Sequence, residues 1–296
     1  MIEVRSLTKR FGPVTAVDNL SFQAQEGRVT GFLGPNGSGK TTTLRAALGL
    51  IRPTAGDVVF DGQHYGEIKR PASVIGAALE ASSFHPGRTA LDHLRAIAPE
   101  AGLPDSRCLE VLDIVGLASQ ADRRVGGYSM GMRGRLGVAA ALLGDPSVLL
   151  LDEPTNGLDP EGITWMRQLL RALAAQGRTI LISSHLLREV EATVDDVVII
   201  TRGRLVHASP LEELERLEQP ATFVAAADPV ALAALVKAQR WEAQANPDGS
   251  YLVQGTEAGG IGHAAFLAGL ELTQLATQRA GLEQVFFRLT EGDGLK

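Results

Sequence analysis

Residues 34–41 read Gly34-Pro35-Asn36-Gly37-Ser38-Gly39-Lys40-Thr41, the pattern G-x-x-x-x-G-K-T, between an apolar run at 29–33 and a helical pattern at 42–50. This junction constrains the fold more than any other feature, because such a loop works only between a buried strand and a helix N-terminus. Its glycines let successive backbone N–H groups turn inward around a phosphate chain, and the helix start adds a favourable dipole. Lys40 reaches the β- and γ-phosphates, and the Thr41 hydroxyl, with Thr42 behind it, suits a Mg²⁺ ion. A chance glycine turn needs none of these partners. Residues 34–42 are therefore expected to bind a nucleoside triphosphate.

A chain of 296 residues accommodates one large α/β domain and a small second one. Hydrophobic content of 45% with 21% charged residues is that of a globular protein. A formal net charge of −6 argues against a general nucleic-acid binder, which would show a basic face. No apolar run approaches the roughly 20 residues of a membrane-spanning helix, so membrane association is expected to come through a partner. The single cysteine, Cys108, excludes an intrachain disulfide and a cysteine metal cluster. It falls in a helical pattern with Leu109, Leu112 and Val115, which reads as core. A cytoplasmic location is expected.

Strand patterns alternate with helical ones to about residue 205, which predicts a mainly parallel sheet covered by helices. Short strand-like runs at 2–4, 16–17, 20–22 and 58–60 predict an antiparallel element beside it. Apolar residues at helical spacing predict a helical subdomain at about 85–145. Strand signals return at 148–151, 179–183 and 197–200. Residues 211–218 read as a charged connecting helix. The remainder reads strand 221–226, helix 229–239, a hairpin across Asn246-Pro247-Asp248-Gly249, helix 262–267, strand 272–277 and helix 282–289. This β-α-β-β-α-β order matches a ferredoxin-like split unit. The expected domains are residues 1–215 and a small α+β domain at 216–296.

Val148-Leu149-Leu150-Leu151-Asp152-Glu153 is an apolar strand ending in two carboxylates. Alone, such a pair reads as a solvated strand end. Delivered beside the phosphate loop by a neighbouring strand, Asp152 suits the Mg²⁺ shell and Glu153 the general base or water-positioning role.

With both motifs present, residues 2–215 resemble the ATP-binding subunit of ABC transporters. The resemblance implies that Phe11, in Thr8-Lys9-Arg10-Phe11-Gly12, stacks on adenine. It implies that Asp159, in Asn156-Gly157-Leu158-Asp159, lies at a dimer interface, and that His185, after Ser183-Ser184, contacts the γ-phosphate. The family's signature string L-S-G-G-Q stands here as Tyr128-Ser129-Met130-Gly131-Met132. Ser129 and Gly131 remain, and a serine and glycine at a helix start offer a hydroxyl and free N–H groups to an anion. Where the family has a glutamine linking the magnesium site to the membrane partner, this chain has Glu80, itself a candidate Mg²⁺ ligand. Glu80 and the Ser-x-Gly-Met signature are similar to exporters of the bacitracin and lantibiotic self-protection type.

The resemblance implies two subunits, identical or closely related, packed head to tail. Each signature helix would close on ATP bound by the other, with hydrolysis driving a separate integral-membrane permease on the inner face of the cell membrane. Two alternatives are an importer subunit and a soluble ABC-type ATPase acting on ribosomes or DNA. The latter usually carries tandem cassettes or a long coiled-coil arm, and neither is present in this sequence.

Overall fold

The computed structural model describes residues 1–79, 84–98, 102–216, 220–279, 285, 286 and 289. Two compact units are present, Met1–Leu211 and Glu212–Gly292. The first unit runs β1 (Ile2–Phe11), β2 (Val14–Ala24), β3 (Val29–Leu33), α1 (Lys40–Ala47), β4 (Ala55–Phe60), β5 (Ile75–Ala78), α2 (Ala90–Ile97) and α3 (Asp105–Ile114). It continues with α4 (Met130–Leu142), β6 (Val148–Asp152), α5 (Pro160–Ala175), β7 (Thr179–Ser184), α6 (Leu187–Val190), β8 (Asp196–Thr201) and β9 (Arg204–Pro210).

A six-stranded sheet has the order β5-β6-β7-β3-β8-β9, parallel except for β9, which runs antiparallel to β8. Its inner strands are largely apolar because both faces are covered; on one of them Phe32, Leu150, Leu181 and Val198 share a core with Leu44 of α1 and with Val4, Leu20 and Phe22 of β1 and β2. All five residues of β3 are buried, as are Val148 to Leu151 of β6. Each large aliphatic side chain so buried contributes about 1.5–3 kcal/mol.

A separate antiparallel sheet, β2-β1-β4, confirms the element expected from the clustered N-terminal runs. Two of those runs belong to one long strand, β2. The chain passes Asn19 at φ +51 and pairs with β1 through register shifts. Side chains satisfy the amides freed there: Ser21 Oγ accepts from Ser6 N at 2.8 Å, and Thr8 Oγ1 from Asn19 N at 3.0 Å.

The helical layer is α2, α3 and α4. Cys108 is fully buried as expected, but its stripe is Cys108, Val111, Leu112 and Val115, and Leu109 is about half exposed. The spacing 108/111/112/115 follows the helix period better than a stripe through 109. Strands β5 and β9 have no counterpart in the sequence reading. Gly76, Ala77 and Ala78 are too small to signal a strand, and β9 is an exposed edge without alternation.

The helix α7 (Leu211–Arg216) begins at the division between the units. Beyond it come β10 (Pro220–Ala226), α8 (Pro229–Gln239), β11 (Ala243–Ala245), β12 (Tyr251–Gln254), α9 (Ala258–Leu267) and β13 (Leu272–Arg279). The sheet order β11-β12-β10-β13, antiparallel throughout, is that of the split β-α-β-β-α-β unit. Val224, Val253, Leu232, Val236 and Ile261 form its core. Asp228 caps α8 by accepting from Val230 N and Ala231 N. The helix expected at 282–289 falls largely outside the described residues.

Candidate active site

The parallel strands β3, β6 and β7 end together, where open α/β sheets place their ligands. The strand carrying Asp152 and Glu153 is not the direct neighbour of the phosphate-loop strand, as the sequence reading supposed: β7 lies between them. The acids therefore approach the loop across Ser183 and Ser184, which pair with Phe32 and Leu33 on one side, while Ser183 pairs with Asp152 on the other.

Residues Gly34 to Gly39 leave β3 and turn into α1, which begins at Lys40 rather than at 42. Gly39 has φ +105, and a Cβ there would run into the carbonyl of Ala16 on β2. Only glycine fits that turn. The Ser38 carbonyl accepts from Gly203 N at 2.9 Å, so the loop is braced between β2 and the β8–β9 turn. Lys40 is buried; its Nζ donates to the carbonyls of Gly34 at 2.6 Å and Pro35 at 3.3 Å. Nζ also lies 3.8 Å from Glu153 Oε1. Burial pushes the Lys40 ammonium below its ordinary pKa, against the opposing pull of Glu153 and Asp152. Ser38 Oγ is buried without a hydrogen-bond partner, which suits a loop built to surround an anion.

Thr41 Oγ1 donates to Asp152 Oδ2 at 2.7 Å. Asp152 Oδ1 accepts from Ser183 Oγ, and the same Ser183 oxygen accepts from Glu153 N at 2.9 Å. Glu153 holds φ +49, unusual for a residue with a side chain. Its Oε2 lies 2.9 Å from His185 Nδ1. Lys40, Thr41, Asp152, Glu153 and His185 thus form one connected cluster. Ser183 belongs to it too; the sequence reading names it only as the strand end before His185 and gives it no role, because nothing local to Ser183 points at a residue 31 positions away.

Ser129 caps α4, its Oγ accepting from Met132 N at 3.2 Å. That bond uses a lone pair and leaves the hydroxyl proton free to donate. Gly157 has φ +74, and a Cβ there would overlap the Met130 side chain, while one at Gly131 would lie 3.0 Å from the Gly157 carbonyl. Asp159 caps α5 by accepting from Gly162 N at 2.8 Å. Ser129, Gly131, Asp159, Arg123 and Arg135 line a groove of about 560 Å³ that no phosphate-loop residue lines. On the other side of the α4 start, Met130 shares a cavity of about 250 Å³ with Asp152 and Glu153. Phe11 ends β1, 48% exposed, with Lys9 Nζ 4.8 Å from its ring centroid. Glu80 lies outside the described residues.

A phosphate loop, two carboxylates at the end of a parallel strand and a histidine paired to the second of them define an ATPase of the phosphate-loop class. The antiparallel sheet and helical layer attached to the core narrow the class further. Residues 17–156 match the ABC transporter family model, and residues 220–283 match a domain of unknown function. The bacitracin transport ATP-binding protein of Bacillus licheniformis is 43% identical over 73% of this chain and 72% of its own length. That of Enterococcus faecalis is 33% identical over 100% of this chain and 98% of its own. A bacterial ABC transporter cassette solved as a dimer superposes with a TM-score of 0.66, at 25% identity, over 71% of this chain and 99% of that one. The chain belongs to the family of ABC transporter ATP-binding proteins.

Proposed function

We propose that this chain is the ATP-hydrolysing subunit of a membrane exporter whose cargo is a peptide antibiotic. The observation that carries the catalytic part is the connected cluster of Lys40, Thr41, Asp152, Glu153 and His185 at the ends of three parallel strands. The cargo class rests on the bacitracin transport relatives, one of which spans the whole chain.

Residues 34–42 cradle the phosphates, with Lys40 released from its loop carbonyls to the β- and γ-oxygens. Thr41 Oγ1 and Asp152 Oδ2, already 2.7 Å apart, are an oxygen pair that suits Mg²⁺, which needs one or two protein oxygens besides phosphate and water. When bound, the ion supplies charge neutralisation across the phosphates. Glu80 is a further candidate ligand through water. Glu153 orients the attacking water and takes its proton. His185, tied to Glu153 through Nδ1, fixes that carboxylate and keeps Nε2 for the γ-phosphate. Phe11 stacks on adenine with its exposed face.

Ser129 and Gly131 line a groove that the chain's own phosphate loop does not reach. They serve the nucleotide of a second subunit, with Asp159 at the interface. Two such contacts about a two-fold axis close the dimer. ATP favours the closed dimer through contacts the open one lacks, and hydrolysis removes them. No helix among the described residues is long and apolar enough to cross a membrane. A separate permease supplies the membrane path, as the transport relatives suggest, engaged near residue 80 on the inner face.

Glu153→Gln, used as an ATP-locked bait in native membranes, is expected to co-purify a polytopic membrane protein at stoichiometric yield. Recovery of ribosomal or DNA-repair proteins in its place would overturn the transporter assignment.

A further inference from the structure

We propose that Ser183 is a positioning residue for this ATPase, its hydroxyl tying the Asp152 carboxylate to the Glu153 backbone so that both acids are held in one register. The proposal rests on the assignment of Asp152 to the Mg²⁺ shell and Glu153 to the attacking water.

Ser183 is fully buried on β7, directly across from Asp152. A hydroxyl has one proton to give and lone pairs to accept with. Here the proton goes to Asp152 Oδ1 and a lone pair takes the Glu153 N–H at 2.9 Å. The other Asp152 oxygen takes the Thr41 hydroxyl at 2.7 Å. One chain of hydrogen bonds thus runs from the start of α1 through Asp152 and Ser183 to the Glu153 amide.

That amide needs its partner. The pairing of β6 with β7 ends at Asp152, and Glu153 turns to φ +49, out of the strand conformation. The turn carries its carboxylate to Lys40 and His185. A left-handed residue other than glycine persists only when its surroundings over-determine it, and Ser183 supplies one of those constraints. The adjacent Ser184 does not stand in, because its hydroxyl is engaged with Leu186 N and O, each at 3.1 Å. Removing the Ser183 hydroxyl leaves the half-buried Glu153 N–H without that partner and frees one carboxylate oxygen. The Glu153 turn then relaxes, and the carboxylate loses its alignment while the phosphate loop stays intact.

The test compares Ser183→Ala, Ser183→Cys and Ser183→Thr in the full chain, with Glu153→Gln alongside. Cysteine fills the site with a slightly larger atom that is a weak donor and acceptor, so a reading survives if the alanine variant folds poorly. ATP affinity measured in EDTA should stay within about twofold of wild type, because Lys40 and the loop amides are untouched. The kcat should fall about 10- to 100-fold in the alanine and cysteine variants with KM little changed, as expected for a displaced catalytic group. The Mg²⁺ concentration giving half the Mg²⁺-dependent thermal shift with ATP should rise several-fold, since Asp152 loses its anchor. Threonine, which keeps both hydrogen bonds, should restore kcat. Wild-type kcat in the alanine and cysteine variants, or a threonine variant as slow as alanine, would overturn the proposal while a slow Glu153→Gln left the underlying assignment standing. A Glu153→Gln chain turning over at the wild-type rate would overturn that assignment itself.

Discussion

Lys40 sits almost out of water with its ammonium on two loop carbonyls and 3.8 Å from Glu153. Burial lowers its pKa, and the Glu153 and Asp152 carboxylates oppose that shift. Lys40→Ala should therefore abolish what nucleotide does to the protein without unfolding it. Wild type at ATP a hundredfold above Kd gains about 2.7 kcal/mol of stability by mass action, and the variant should gain none. Thermal unfolding with and without Mg²⁺-ATP reads this directly; an undiminished shift would contradict the role given to Lys40. At this scale the phosphate loop was legible because its parts are contiguous. The cluster around Asp152 was only half legible: the acids announce themselves at a strand end, but Ser183 and Thr41 meet Asp152 across 31 and 111 residues. His185 became readable only through the family resemblance, since a lone histidine after a strand carries no local signal.

Elements set these residues in place, and their errors of reading have physical causes. Periodicity found β3, β6, β7 and β8, where burial on both faces demands continuous apolar runs. It passed over β5 and β9, which are short-chained or edge-exposed, and it put the acid-bearing strand one place too near the loop. Strand order is set by crossover connections and leaves no trace in local pattern. In the helical layer, His93 on α2 packs edge-on to Phe84 at 4.8 Å, with Nδ1 buried and unpartnered. Burial lowers its pKa first, and Arg88 adds to the effect. The unfolded chain then binds more protons than the folded one as pH falls below the ordinary histidine value of about 6.5, so stability is lost from there down through the lowered folded value. His93→Phe should keep the ring packing and shrink the difference in stability between pH 7.5 and 5.5. Denaturant titrations at the two pH values measure it, and an unchanged difference would assign the acid sensitivity elsewhere.

For the whole molecule, the two compact units have different claims on function. The ferredoxin-like unit was readable as an element order, and among its described residues no cluster of metal-ligating side chains appears. The proposed nucleotide chemistry resides in the first unit and is divided: the phosphate loop and carboxylates stand in one cluster, and Ser129, Gly131 and Asp159 line a separate groove. On the proposed function, a second chain placed about a two-fold axis completes each site. The most direct test is the sedimentation of Glu153→Gln with Mg²⁺-ATP. A species of twice the chain mass is expected with Mg²⁺-ATP and a monomer with ADP. A monomer under both conditions would contradict the two-chain site.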